Sequence, residues 1–412
     1  MGMGVYKMKI PYESPKIKSM SGIFLLTSAV LALIFDNTPW KNYYETFFNF
    51  PFNVQLGPLQ LCLSLLLWIN SGLMTVFFLL VGLEIKREIF DDKFTILSKT
   101  LLPVLAGLGG ILIPSVIYIA FNRKNVFSLR GWAIPTTTDI AFSSGILSLI
   151  GNHRLPANLR TFLTTLAVFD DLGAIIIISV FYTRCISLIF LSSAGLFLGF
   201  LVLLNRLRIT TTTVYILVGI PLWICVLKSG VHPTLVGIAL AFAIPIRDWK
   251  DPRVSPSRNL EYTLYPLVIF GVLPIFAFAN AGVSFAGIGL NTFFSPITLG
   301  IALGLFLGKQ IGIWLVCWIV LKVSRWTQIV SYYSSGSGGN WWRSLYGLSV
   351  IAGVGFTMSL FIGNIAFYGI DKQNYFSMVR LGVIVGSSLS GIFGYLILCF
   401  TDSYRENCWK KI

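Results

Sequence analysis

Two adjacent aspartates, Asp170 and Asp171, stand inside the apolar stretch "TTLAVFDDLGAIIIISV" (164–180), with no positive charge within reach along that segment. Only two other ionisable side chains lie as deep in apolar sequence: Asp139 in "AIPTTTDIAF" (133–142) and Lys309 in "GLFLGKQIGIW" (304–314). Consecutive residues on a helix point about 100° apart. The two aspartates can therefore border one cavity without both facing the same partner. Removing a carboxylate from water favours its neutral form, and a like-charged neighbour adds to that preference. Such a pair can hold a proton near neutral pH and trade it for a small cation. By analogy with divalent ions, hard oxygen ligands suit Na⁺ or Li⁺, and Thr136, Thr137 and Thr138 can add neutral oxygens. A buried ammonium must be neutral or paired. Lys309 lies mid-segment, where snorkelling is disfavoured, so an intramembrane aspartate is its obvious partner.

The segments that must position these groups read as membrane helices. Of 412 residues 55% are hydrophobic and 11% charged, where a soluble protein carries roughly 25% charged. Apolar runs approaching the ~20 residues needed to cross a bilayer recur from Ser19 to Phe400. The fold class is therefore all-α and polytopic, with about twelve spans: 19–36, 64–86, 100–121, 127–150, 156–181, 186–204, 211–226, 229–244, 260–283, 297–321, 344–367 and 377–400. The first, with no cleavage site after it, is a retained span. With both termini cytoplasmic, 22 of the 31 Lys and Arg fall on that side and 8 on the other, with Lys309 inside. That asymmetry satisfies the positive-inside rule. The net charge of +15 is thus topological and does not point to nucleic acid. Four intramembrane charges cost on the order of 10 kcal/mol at ~2.5–3.5 kcal/mol each, which favours an ion or proton pathway over structural decoration.

Two spans are interrupted at comparable places. The fourth holds Pro135 before three threonines, and the eleventh holds Gly353 and Gly355 in "AGVGFTMSLF" (352–361). Each is the middle span of a three-span unit, approximately 100–181 and 297–400. Interrupted segments in corresponding positions mark a transporter site near the midplane, a rule drawn in part from the family named below. If the two breaks cross, half-helix N-termini gather there; Asp139 would offset their charge and Lys309 that of the opposing C-terminal ends. Outside the spans, "FNFPFNVQLG" (48–57) alternates with period two and reads as a short extracytoplasmic edge strand, part of a β-hairpin open to a second subunit, or as an aromatic interfacial loop. "SYYSSGSGGN" (331–340) is a polar linker and "RDWKDPRVSPSRN" (247–259) a basic loop. The tails are 1–18 and 401–412, leaving 19–400 as the membrane domain.

Elsewhere the residues read as structural. The charged end of the second span (Glu84, Lys86, Arg87, Glu88) suits an interfacial helix end, and His232 in "LKSGVHPTL" suits a satisfied histidine. Six scattered cysteines without metal spacing read as apolar filler, and two histidines are too few for a His-rich metal site; no cofactor is expected. Two alternatives to ion exchange stand. An intramembrane aspartyl protease also uses two buried aspartates, but on opposed helices that share a water. A passive cation channel would conduct without proton countermovement.

Six stretches, "VFFLLVGLEIKREI", "TTTDIAFSSGILSLIG", "VFDDLGAIIIISVFYT", "LKSGVHPTLVGIALA", "PIFAFANAGVS" and "GVGFTMSLFIGNIAF", together resemble the NhaA-type Na⁺/H⁺ antiporters, in family order over about residues 18–400. The resemblance implies an electrogenic exchange of two protons for one Na⁺ or Li⁺ across a bacterial inner membrane, serving sodium and pH homeostasis, with inverted repeats, discontinuous fourth and eleventh helices and no catalytic residue. It implies that Asp171 is the main Na⁺ ligand and Asp170 the partner of Lys309. Asp139, with Thr138 beside it, is the charge-compensating residue. Glu84, Arg87 and Glu261 match positions of cytoplasmic pH activation, and His232 a further position of pH response. A homodimer joined through the strand region 45–60 is expected. The chain departs from the family pattern at Tyr262 and Tyr265, where histidines are common, and at Ser71, where some members carry aspartate. These departures bear on the pH profile, not on the transport core.

Overall fold

A computed structural model describes residues 15–56, 59–90, 97–150, 155–183, 186–249, 251, 254–284, 289–323, 341–367 and 373–400. The linker 331–340, the tail 401–412 and most of the tail 1–18 lie outside the described residues. Among the described residues ten helices are long and apolar enough to cross a membrane, or eleven if the bent pair Val126–Thr136 and Ile140–Ile150 is one span. The segment expected over 229–244 is shorter. Its helix is Leu235–Ala243, nine residues, or about 14 Å at 1.5 Å per residue, well under a bilayer's thickness.

Large apolar side chains such as Leu112, Val116, Leu188 and Leu196 face outward, as a hydrocarbon solvent allows. The interior holds an apolar core together with the buried polar groups. Two strands, β1 (Pro51–Leu56) and β2 (Leu59–Ser64), pair antiparallel as a hairpin. The strand starts later than the alternation suggested because Phe48 and Asn49 finish the helix Lys41–Asn49.

Both expected interruptions are present. In the first broken span a 3₁₀ turn, Arg130–Thr136, contains Pro135 and leads into an extended Thr137; helix resumes at Ile140 with a 41° bend. Proline supplies no N–H to continue the ladder. In the second, Trp341–Ile351 and Phe356–Ala366 flank a break at residues 352–355. A Cβ at Gly353 would lie 2.3 Å from the Leu305 carbonyl oxygen, so the close approach there requires glycine. The helix Leu97–Asn122 packs between Ala157–Phe181, which carries the aspartate pair, and Lys309–Val323. Gly109 and Gly312 let the backbones of Leu97–Asn122 and Lys309–Val323 meet, since a Cβ on either would fall within 2.4 Å of the other's carbonyl oxygen; small residues play this part between membrane helices. A π-helical turn, Gly304–Gly308, ends immediately before Lys309.

Candidate functional site

The two breaks cross each other, and the crossing supplies the hydrogen bonds that each broken helix lacks. The Asp139 backbone N–H donates to the Val354 carbonyl at 2.7 Å, and the Thr138 hydroxyl reaches the Ala352 carbonyl at 2.7 Å. Asp139 then serves two helix N-termini. Its Oδ1 accepts the Phe142 N–H at 2.9 Å. Its Oδ2 accepts the Thr357 N–H at 3.1 Å and the Thr357 hydroxyl at 2.5 Å. A carboxylate at a helix N-terminus is favoured by the exposed N–H groups and the helix dipole. The Ser387 hydroxyl adds to this by accepting the Gly355 and Phe356 N–H groups at 3.3 and 3.1 Å. Both carboxylate oxygens of Asp139 are therefore engaged by half-helix ends.

Asp170 and Asp171 sit beside this crossing, each with 0% exposure, and diverge as consecutive helical residues must. Asp170 Oδ2 lies 2.8 Å from the Thr138 hydroxyl, whose one proton it shares with the Ala352 carbonyl, and is paired with the Lys309 ammonium, itself 0% exposed. Lys309 thus has the intramembrane carboxylate partner expected of it. Asp170 Oδ1 and both oxygens of Asp171 are buried without a hydrogen-bond partner among the described residues. Buried carboxylate oxygens without donors are strongly unfavourable. The arrangement therefore offers three hard oxygens that a proton or a small cation would satisfy. Of the three threonines, only Thr138 reaches the pair. Thr136 turns back to the Ala133 carbonyl and Thr137 faces Ser359. Among the described residues no cluster of three His, Cys, Asp or Glu can hold a metal.

The remaining sequence candidates lie on segments other than the two broken spans and the aspartate helix. Arg87 at the end of Met74–Phe90 forms an ion pair with Glu261 of Pro256–Leu267 at 2.5 Å. Glu84, on the same helix as Arg87, lies within electrostatic range of Asp171. Tyr262 and Tyr265 are half-buried on the Glu261 helix. His232 Nδ1 is 2.7 Å from the Thr234 hydroxyl, and its ring meets Phe361 of the second broken span edge-on at 5.4 Å.

Two polar features escaped the sequence reading. Lys86 is buried, its ammonium donating to the Ala241, Phe242 and Ile244 carbonyls at the end of helix Leu235–Ala243. A cation at a helix C-terminus satisfies the orphan carbonyls, but "EIKRE" alone reads as an interfacial end. Asn70, Asn280 and Asn364 form an amide cluster: Asn280 Nδ2 donates to Asn70 at 2.8 Å, and Asn364 donates to Asn280 at 2.6 Å. Nothing local in the sequence signals this meeting, since three separate spans contribute to it.

With this geometry in hand, the profile of the Na⁺/H⁺ antiporter 1 family matches residues 14–398. A protein of Psychrobacter arcticus named Na⁺/H⁺ antiporter NhaA is 46% identical over 396 residues, covering 96% of this chain and 95% of that protein. The Na⁺/H⁺ antiporter NhaA 1 of Syntrophotalea carbinolica is 48% identical over 385 residues, covering 93% and 94%. The Na⁺/H⁺ antiporter NhaA 1 of Pseudomonas putida is 44% identical over 382 residues, covering 93% and 94%.

Proposed function

The chain belongs to the Na⁺/H⁺ antiporter 1 family, and from that premise we propose that it exchanges cytoplasmic Na⁺ or Li⁺ for external protons at Asp170 and Asp171. It is a secondary transporter and not an enzyme. The observation that carries the site assignment is the set of three buried, partnerless carboxylate oxygens beside the crossed breaks. Asp171, with both oxygens unoccupied by donors, is the principal cation ligand; Asp170 Oδ1 and the Thr138 hydroxyl complete the oxygen set. Lys309 holds Asp170 in the absence of Na⁺, and an arriving cation competes for that carboxylate. Two protons move inward for each Na⁺ moved outward. Asp139 stays engaged with the two half-helix ends and provides the fixed electrostatics of the crossing.

The domain 19–400 sits in a bacterial inner membrane with the tails 1–18 and 401–412 cytoplasmic, and the repeats 100–181 and 297–400 rock about the site to expose it alternately. The hairpin β1–β2, with Phe50 and Phe52 exposed, joins two copies; disulfide trapping of a Gln55→Cys variant as a dimer checks that contact, and its absence at all positions of the strand would refute it. Net inward positive charge couples exchange to the membrane potential at ~2.3 kcal/mol per charge per 100 mV. Proteoliposomes with an imposed potential test the electrogenic reading. Exchange that accelerates when the proton-receiving side is negative supports it, and exchange indifferent to potential contradicts it.

A further inference from the structure

A groove of about 580 Å³ opens on the outer surface of the bundle between Lys309–Val323, Trp341–Ile351 and Gln373–Cys399. Its wall is aromatic and aliphatic (Trp314, Trp342, Tyr346, Phe393 and Leu396), and among the described residues Arg343 is the one charged side chain lining it. The wall is firmly built. Trp314 lies 6.4 Å from both Trp342 and Tyr346 in edge-on contacts, Trp342 lies 4.2 Å from Trp341, and the Tyr346 hydroxyl donates to Gln310 at 2.7 Å. The groove sits at the end of the bundle where Trp341–Ile351 begins and Gln373–Cys399 finishes, the end that Lys322 also marks. Arg343 is exposed and forms no ion pair with a described residue. The adjoining segment 324–340 contains no Asp or Glu.

An apolar face in a bilayer is covered by acyl chains of whatever lipid is nearby, but a guanidinium at its mouth discriminates between headgroups. Its planar fork takes two phosphate oxygens at once, Trp and Tyr settle at headgroup depth, and basic pockets between membrane helices hold anionic headgroups. We infer that this groove binds an anionic phospholipid, with the phosphate on Arg343 and an acyl chain along Trp314, Trp342 and Phe393. The seat is continuous with the crossing. Lys309 heads the helix that carries Trp314, and Trp341–Ile351 ends at the break whose Ala352 carbonyl meets Thr138.

Native mass spectrometry of the full-length protein, equilibrated with equal amounts of phosphatidylglycerol and phosphatidylcholine, tests the assignment. The wild type retains several-fold more phosphatidylglycerol than phosphatidylcholine. Arg343→Gln brings the two to parity, whereas Arg206→Gln, which removes an exposed cation from another helix, keeps the preference. Leu396→Trp, which fills the groove, lowers retention of both lipids at an unchanged melting temperature. Equal retention of the two lipids by the wild type, or an undiminished preference in Arg343→Gln, overturns the proposal.

Discussion

Lys309 and Asp170 form an ion pair in which neither side chain has any exposed surface, so removing one partner strands the other in a dry interior. Breaking such a pair from one side costs about 3–5 kcal/mol, whereas replacing both members by well-packed apolar groups is often close to neutral. Asp170→Asn and Lys309→Met should therefore each lower the melting temperature in detergent, and the double variant should recover much of the loss. Additive losses in a double-mutant cycle would show that the two side chains do not act as a pair. These residues were legible in the sequence because a charge at membrane depth is expensive enough to demand a reason. Lys86 was not, because the same residue type beside Arg87 and Glu88 matches an ordinary helix end. Its burial depends on the short helix Leu235–Ala243 arriving from far along the chain.

At the scale of elements, one carboxylate caps the N-termini of two half-helices. Asp139→Ala removes acceptors from the N-termini at Phe142 and Thr357, at about 1 kcal/mol for each lost cap. Asp139→Asn keeps one oxygen and should melt between the wild type and Asp139→Ala; equal melting of all three would mean that the crossing does not depend on these caps. Pro135, Gly353 and Gly355 made the breaks readable, since residues that cannot continue or readily hold a helix are local signals. That Asp139 N–H would find the Val354 carbonyl was not readable as a specific bond. It depends on two segments more than 200 residues apart meeting in one register. The π-helical turns, including Gly304–Gly308 before Lys309, also leave no distinct sequence mark.

At the scale of the whole molecule, the Arg87–Glu261 pair ties the charged end of one span to the start of another. If this pair belongs to pH activation, Glu261→Gln should shift the pH of half-maximal exchange while leaving the maximal rate close to wild type; an unchanged pH profile would remove it from that role. The membrane class followed from composition, and the approximate span order from the apolar runs along the chain. The nine-residue helix Leu235–Ala243 was the span that hydropathy overstated, because apolar sequence does not reveal where the backbone stops being helical. The central claim is that cation and proton compete for carboxylate oxygens left without donors, chiefly those of Asp171. Na⁺-dependent proton flux in proteoliposomes, compared between the wild type and Asp171→Asn at matched reconstitution, tests it most directly. The account predicts that flux collapses in the variant while the protein remains folded, and flux retained at the wild-type rate would contradict it.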